Sequence, residues 1–196
     1  MKNKHTSKGY KMERYFAYGS NMNPKRMTSR VGGFNDRSYG VLPSFALDFS
    51  KRAYSKGIGY ANVVADTTDT VEGIIYTLTT DQIEKLDGFE GVSSGQYKRE
   101  KVRVFMPDNT PVNAWCYFAK NTGTDLKPTK DYLSHLIVGA KNFLSDAYVQ
   151  KLQNQPTRKV IYPKIPTYKG GSNLKQGNFD LTSSYVPAKY RVREIQ

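Results

Sequence analysis

Residues 14–23 read RYFAYGSNMN, and this stretch decides how the fold begins. The aromatic-rich part, 14–18, predicts a strand that the following Gly-Ser-Asn sequence interrupts. Pro24 suits the first turn of a helix over 24–30, because the N–H group that proline lacks has no helical partner there. The stretch therefore predicts a strand, a sharp turn and a short helix.

Hydrophobic patterning continues to residue 152 and predicts both strands and helices. Alternating or β-branched runs predict strands at 39–49, 59–65, 70–78, 97–106 and 112–118, of which the last two form a hairpin. Apolar residues at helical spacing predict helices at 80–89, 130–144 and 145–152. Cys116 falls on the apolar face of the last strand, so we expect a core residue and not a nucleophile.

Several polar residues predict where helices begin and end. Asp81 and Glu84, three residues apart, resemble a capping box at the start of the helix 80–89. Gly91 is the expected stop of that helix, and Ser145 is the expected cap of the helix 145–152. His135 lies off the apolar stripe of its helix, so we expect it to be exposed.

Composition excludes several kinds of chemistry. The chain has 196 residues, a formal net charge of +13 and one cysteine. One cysteine cannot form an internal disulfide or a cysteine-based zinc site, and we expect no other metal site. The polar, basic start predicts neither a signal peptide nor a membrane anchor, so we expect a cytoplasmic protein. The positive charge leaves nucleic-acid binding open.

The turn after the first strand is one candidate site. A sharp turn before a helix exposes successive backbone N–H groups, which suit a carboxylate or a developing oxyanion. Gly19 permits close approach of a ligand, and Ser20 and Asn21 add polar side chains. An ordinary strand–turn–helix connection accounts for the same residues, so the turn alone does not decide between the two interpretations.

Glu90 is the other candidate. It follows Ile83 by seven residues and Leu86 by four, and helical spacing places those two in the core, so Glu90 would point inward. An inward carboxylate is costly unless it is partnered, and it has the profile of a general base. If the helix ends first, Glu90 is solvated, and the spacing leaves both alternatives open. Glu84 and Asp87 fall on other faces, where we expect solvated charges.

Three motifs in order resemble the γ-glutamylcyclotransferase family. FAYGSNMN at 16–23 resembles its YGSN loop, and LDGFEGVSSGQY at 86–97 resembles its segment LDxxEGVxxGxY. VGAKNFLSDAYVQKL at 138–152 is similar to its C-terminal helical stretch. The resemblance spans about residues 14–155 and implies an α+β fold, a small β-barrel with flanking helices.

The resemblance also implies a function. The family converts a γ-glutamyl amino acid or γ-glutamyl amine to 5-oxoproline and a free amine, without a cofactor and in the manner of a lyase. It implies that Glu90 is the catalytic acid and base. The substrate-binding residues that it implies are Tyr18, Gly19, Ser20, Asn21, Met22 and Tyr97. The glutathione-specific branch resembles YGSL and the γ-glutamylamine branch YGTL, so Asn21 favours γ-glutamyl amino acids.

The expected organisation has three segments: a polar leader at 1–13, a catalytic domain at 14–155 and a basic extension at 156–196. The extension contains eight Lys and Arg residues, two acidic residues and several tyrosines. We expect part of it to pack on the domain or on a second subunit, as in a homodimer. A non-catalytic binding protein of the same fold, holding nucleic acid through this extension, is the alternative. An enzyme that removes a γ-glutamyl cap from a larger amine is a third interpretation.

Overall fold

The computed structural model describes residues 11–160. Within this part of the chain, five strands close into a barrel, and helices flank it. The strands are β1 (Met12–Ala17), β2 (Asp36–Arg52), β3 (Gly59–Thr79), β4 (Tyr97–Phe105) and β5 (Pro111–Ala119). The helices are a 3-10 turn (Ser20–Met22), α1 (Pro24–Val31), α2 (Thr80–Phe89), α3 (Lys130–Ala140) and α4 (Asp146–Gln153).

The barrel has the strand order β1-β3-β2-β4-β5. Neighbouring strands are antiparallel, except where β5 meets β1 in parallel at the pair Tyr15 and Trp115. The predicted class, an α+β fold with a small β-barrel and flanking helices, is confirmed. Since β1 ends at this closure, the turn that follows it lies at one end of the barrel.

The core fills the barrel and the space under the helices. Phe16, Leu42, Ile74 and Cys116 are all buried, with at most 1% of the residue surface exposed. Burial raises the pKa of the Cys116 thiol well above its ordinary value, because the charged thiolate loses its hydration. The prediction that Cys116 is a core residue is therefore confirmed.

Several predicted boundaries were wrong. The strand predicted at 39–49 is β2 and is three residues longer at each end. The segments 59–65 and 70–78 belong to the single strand β3, whose residues 66–69 lie opposite Ser44 of β2, where the pairing of the two strands shifts. Polar residues there are compatible with a strand because that stretch faces solvent. The helix predicted at 130–144 ends at Ala140, because Lys141 is extended and Asn142 has a φ of 67°.

Helix α2 begins where the sequence predicts, but with a different cap. The Thr79 hydroxyl accepts from the N–H of Gln82, and the Gln82 carboxamide oxygen accepts from the N–H of Thr79. This reciprocal pair replaces the predicted pair of Asp81 and Glu84. Ser145 caps α4 as predicted, by accepting from the N–H of Tyr148.

His135 is another correction. It is half-buried and not exposed, and its Nδ1 lies 3.2 Å from the side-chain Nδ2 of Asn23. The contact arises because α3 packs against the 3-10 turn that precedes Asn23. A residue off the apolar stripe of its own helix thus lies against a neighbouring turn.

The predictions for the leader and for most of the basic extension concern residues 1–10 and 161–196, which lie outside the described residues. The division into 1–13, 14–155 and 156–196 stays a prediction. Within 11–160, no helix has both the length and the apolar character needed to cross a membrane.

Candidate active site

The end of α2 places Glu90. Ile83 and Leu86 on the inner face of α2 are 1% and 0% exposed, and Glu90 follows on that face. Gly91 has a φ of 63°, a left-handed conformation that suits glycine, and it ends the helix directly after Glu90. The Glu90 side chain is 15% exposed, so a carboxylate lies largely out of solvent at the end of the barrel.

The turn after β1 lies opposite Glu90. Gly19 precedes the 3-10 turn, and the backbone N–H groups of Gly19, Ser20 and Asn21 have no acceptor within residues 11–160. These groups are free because the first N–H groups of any helical turn lack an internal partner. Tyr18 is held at the barrel wall, where its hydroxyl donates to the carbonyl of Tyr117.

Asn21, Arg30 and Glu90 form a closed triangle of hydrogen bonds. Arg30 Nη1 lies 2.9 Å from Glu90 Oε1 and donates to Asn21 Oδ1 at 2.8 Å. Asn21 Nδ2 donates to Glu90 Oε1 at 3.0 Å and to the Tyr15 hydroxyl at 2.8 Å. Both bonds to Glu90 use Oε1, and Glu90 Oε2 accepts no hydrogen bond from any residue in 11–160. One carboxylate oxygen is therefore held while the other stays free.

A cavity of about 30 Å³ lies between Glu90 and the turn. Two of its tyrosines are fixed by the backbone of Ala61: Tyr97 donates to the carbonyl at 3.0 Å, and Tyr132 accepts from the N–H at 3.1 Å. Its lining is Tyr15, Tyr18, Gly19, Asn21, Ala61, Glu90, Tyr97, Tyr117 and Tyr132. Glu90 is the carboxylate in this lining, and phenol groups surround it.

The phenols of the cavity stay neutral at physiological pH. Burial, reinforced by the charge of Glu90, raises the pKa of Tyr15 well above its ordinary value. Burial likewise raises the pKa of Tyr97, and it raises the pKa of Tyr132 to about 12. Neutral phenols donate or accept hydrogen bonds but do not take a proton near neutral pH. Among the lining residues, Glu90 is thus the group able to act as a base.

The cavity brings together Tyr18, Gly19, Asn21, Glu90 and Tyr97 from the residues singled out in the sequence. Ser20 and Met22 are buried, at 8% and 0% exposed, but they do not line it.

Sequence reasoning missed Arg30 and the tyrosines at 15, 117 and 132. The spacing of Arg26 and Arg30, one turn apart on a predicted helix, was the available signal for a cation facing the site. The expectation that Asp87 is solvated was wrong, because it pairs with Arg99 at 2.7 Å and accepts from the Tyr117 hydroxyl at 2.8 Å.

Comparisons with known proteins agree with this architecture. Residues 70–152 match the model of the AIG2-like family. The human γ-glutamylcyclotransferase is 30% identical over 155 residues, which cover 74% of this chain and 82% of the human protein. The mouse γ-glutamylcyclotransferase is 30% identical over 161 residues, covering 80% of this chain and 81% of the mouse protein.

Solved structures resemble the barrel as a whole. A structure described as a γ-glutamyl cyclotransferase superimposes with a TM-score of 0.68 at 26% identity, covering 82% of this chain and 93% of its own. The fold and cavity define a small-barrel protein with a single carboxylate among tyrosines. The chain belongs to the γ-glutamylcyclotransferase family.

Proposed function

We propose that this protein is a cyclotransferase that converts a γ-glutamyl amino acid to 5-oxoproline and a free amino acid, with Glu90 as the acid and base. The observation that carries this proposal is the juxtaposition of Glu90 and the turn after β1. The two are 69 residues apart in sequence, and Asn21 Nδ2 joins them at 3.0 Å from Glu90 Oε1. The names of the human and mouse relatives support the same reaction.

The reaction is an intramolecular aminolysis. The α-amine of the γ-glutamyl group attacks its own γ-carbonyl carbon, the amide C–N bond breaks, and a five-membered lactam forms. Both reacting groups belong to one molecule, so the enzyme has to hold the folded-back conformer and move protons. No oxidant, reductant or metal is needed for these bonds to exchange.

The free oxygen of Glu90 suits the proton transfers. Oε2 has no partner within the described residues, whereas Oε1 is held by Arg30 and Asn21. Oε2 would take a proton from the substrate ammonium and later give it to the departing nitrogen. A carboxylate fixed on one side keeps its direction through both transfers.

The turn after β1 suits the negative charge that develops on the γ-carbonyl oxygen. Gly19 lines the cavity, and its N–H group and those of Ser20 and Asn21 have no acceptor within residues 11–160. Backbone donors that are fixed before the reaction stabilise an oxyanion without reorganising. Ser20 would then contribute through its backbone, because its side chain does not line the cavity.

The hydrogen bonds of Asn21 support a role for the asparagine of the YGSN motif. Asn21 donates to Glu90 and accepts from Arg30, two bonds that a leucine in the same position could not make. A chain with leucine there would have to hold its carboxylate in another way. Through this asparagine the motif resembles that of the enzymes that act on γ-glutamyl amino acids.

A panel of substrates tests the proposal. The purified full-length protein is incubated with γ-glutamylalanine, glutathione and γ-glutamylethylamine, and 5-oxoproline is measured. We expect 5-oxoproline from γ-glutamylalanine, and little from glutathione. Absence of 5-oxoproline from all three substrates, with a folded protein, would overturn the proposal.

A further inference from the structure

Arg26 has an unusual environment for a half-buried arginine. Its side chain makes no hydrogen bond and no ion pair with any residue in 11–160, and its Nε is fully buried without an acceptor. By contrast, the half-buried arginines 30 and 99 both pair with carboxylates. A guanidinium group that is partly removed from water without an acceptor is costly, which indicates that its partner is a ligand.

The position of Arg26 directs this charge toward the active site. Arg26 lies on α1 one turn before Arg30, so the two side chains leave the helix on the same side. Burial and the charge of Arg30 lower the pKa of Arg26, whereas Tyr132, Glu90 and Tyr60 raise it. Tyr132 lines the cavity, and its ring lies 4.8 Å from that of Tyr60. Arg26 does not line the cavity itself, but it lies on the same side of α1 as Arg30, which bonds to Glu90 and Asn21.

The charges around the site leave an excess of cations. Arg30 is neutralised by Glu90. Lys51 is 6% exposed, with its Nζ bonded to the carbonyl of Arg52 at 2.8 Å and 5.9 Å from the centre of the Tyr97 ring. Neither Lys51 nor Arg26 has an acidic partner within 11–160. A γ-glutamyl amino acid brings two carboxylates, one on each side of the bond that breaks.

We propose that Arg26 binds the carboxylate of the leaving amino acid and so makes the enzyme prefer γ-glutamyl amino acids to γ-glutamyl amines. This inference rests on the proposed function and adds to it the residue that selects the leaving group. The leaving side of the substrate varies in size and must extend toward solvent, and Arg26 is the more exposed of the two unpaired cations. A guanidinium group also matches a carboxylate with two parallel hydrogen bonds.

A matched pair of substrates isolates this contact. γ-Glutamylethylamine is γ-glutamylalanine without its second carboxylate. The preference is the ratio of kcat/KM for γ-glutamylalanine to kcat/KM for γ-glutamylethylamine. We expect a wild-type ratio of about 10 to 100, as a charge-assisted hydrogen bond provides. In Arg26→Gln the ratio should fall to near one, mainly through a higher KM for γ-glutamylalanine. Arg26→Lys should retain part of the preference for γ-glutamylalanine.

Other variants separate the alternatives. Lys25→Gln removes an exposed cation from the same helix, and its ratio should equal that of the wild type. A ratio that is unchanged in Arg26→Gln, or one that collapses only in Lys51→Met, would overturn the assignment. Equal losses on both substrates in Arg26→Gln would also overturn it, because they indicate a structural role. If the folded wild type forms no 5-oxoproline from either of these substrates or from glutathione, the proposed function is overturned together with this inference.

Discussion

Arg30 Nη1 lies 2.9 Å from Glu90 Oε1, and the two side chains are 8% and 15% exposed. This ion pair joins the last turn of α1 to the end of α2, and Asn21 bonds to both partners. The arrangement holds one oxygen of Glu90 and leaves the other without a partner among residues 11–160. Arg30 is therefore a positioning residue for Glu90.

Replacing Arg30 should damage catalysis and stability together. Arg30→Gln leaves a largely buried carboxylate without its cation, so we expect the free energy of unfolding to fall by about 3 kcal/mol. We expect kcat to fall by about 10- to 100-fold, because Glu90 loses its fixed direction. Arg30→Lys should recover part of kcat. Denaturant unfolding and 5-oxoproline assays measure both effects.

Lys151→Gln provides the control, because Lys151 pairs with Asp69 on the surface away from the cavity. It should leave kcat at the wild-type value and change stability by less than about 1 kcal/mol. Wild-type kcat in Arg30→Gln would show that Glu90 does not need this partner.

Gly19 should tolerate substitution less well than Ser20. A Cβ atom on Gly19 would lie 3.2 Å from the Ala61 Cβ and 3.3 Å from the Tyr132 hydroxyl, so valine would fill the cavity. The limit on the size of this residue is the space around it. Backbone conformation is not the limit, because a φ of −112° is open to residues that have a side chain. We expect Gly19→Val to lose at least about 100-fold in kcat/KM, and Ser20→Ala to lose only a few-fold. Similar, mild losses in both would mean that the turn is only a structural connection.

Gly139 is required where α3 crosses the 3-10 turn. A Cβ atom there would overlap the backbone carbonyl carbon of Met22 and would lie 2.5 Å from the nitrogen of Asn23. Gly139→Ala should lower Tm by several degrees and reduce kcat/KM, because the turn that lines the site has to shift. Gly88→Ala is the matched control, since nothing lies within 4 Å of its Cβ position. A wild-type Tm in Gly139→Ala would contradict the close packing.

His135 should make the protein less stable in mild acid. Burial, with the charges of Arg26 and Arg30, lowers the pKa of His135 below its ordinary value. Asn23 Oδ1 accepts from the N–H of Lys25, so Asn23 Nδ2 faces His135 Nδ1, which must be unprotonated to accept. As the pH falls, His135 in the unfolded chain binds a proton near pH 6.5, whereas His135 in the folded protein binds one only at a lower pH.

The His135 contribution is therefore complete above about pH 6.5 and is lost as the pH falls toward the lowered folded value. Urea unfolding at pH 7.5 and 5.5 measures this change. His135→Gln offers an acceptor that does not titrate, so it should lose less stability between these pH values than the wild type. Equal losses in the two proteins would show that His135 has no role in the pH dependence.

Local patterns were enough to predict most elements, because strands and helices with one buried face have clear periods. Helix α2 was predicted with its observed bounds, although the capping pair predicted at its start was wrong. The long strand β3 was not, because its polar middle, 66–69, has no strand pattern and no regular pairing with β2. Arg30 was missed for a related reason. Its partner is distant in sequence, and no local pattern links an arginine to Glu90.

The most direct test of the central claim compares 5-oxoproline formation by Glu90→Gln with that by the wild type. Glutamine keeps an acceptor for Arg30 and Asn21 but cannot take a proton, so kcat should fall by about 10²- to 10⁴-fold while the fold is retained. Glu84→Gln, at an exposed position of the same helix, should keep the wild-type kcat. A folded Glu90→Gln protein with more than about a tenth of wild-type kcat would contradict the assignment of Glu90 as the acid and base.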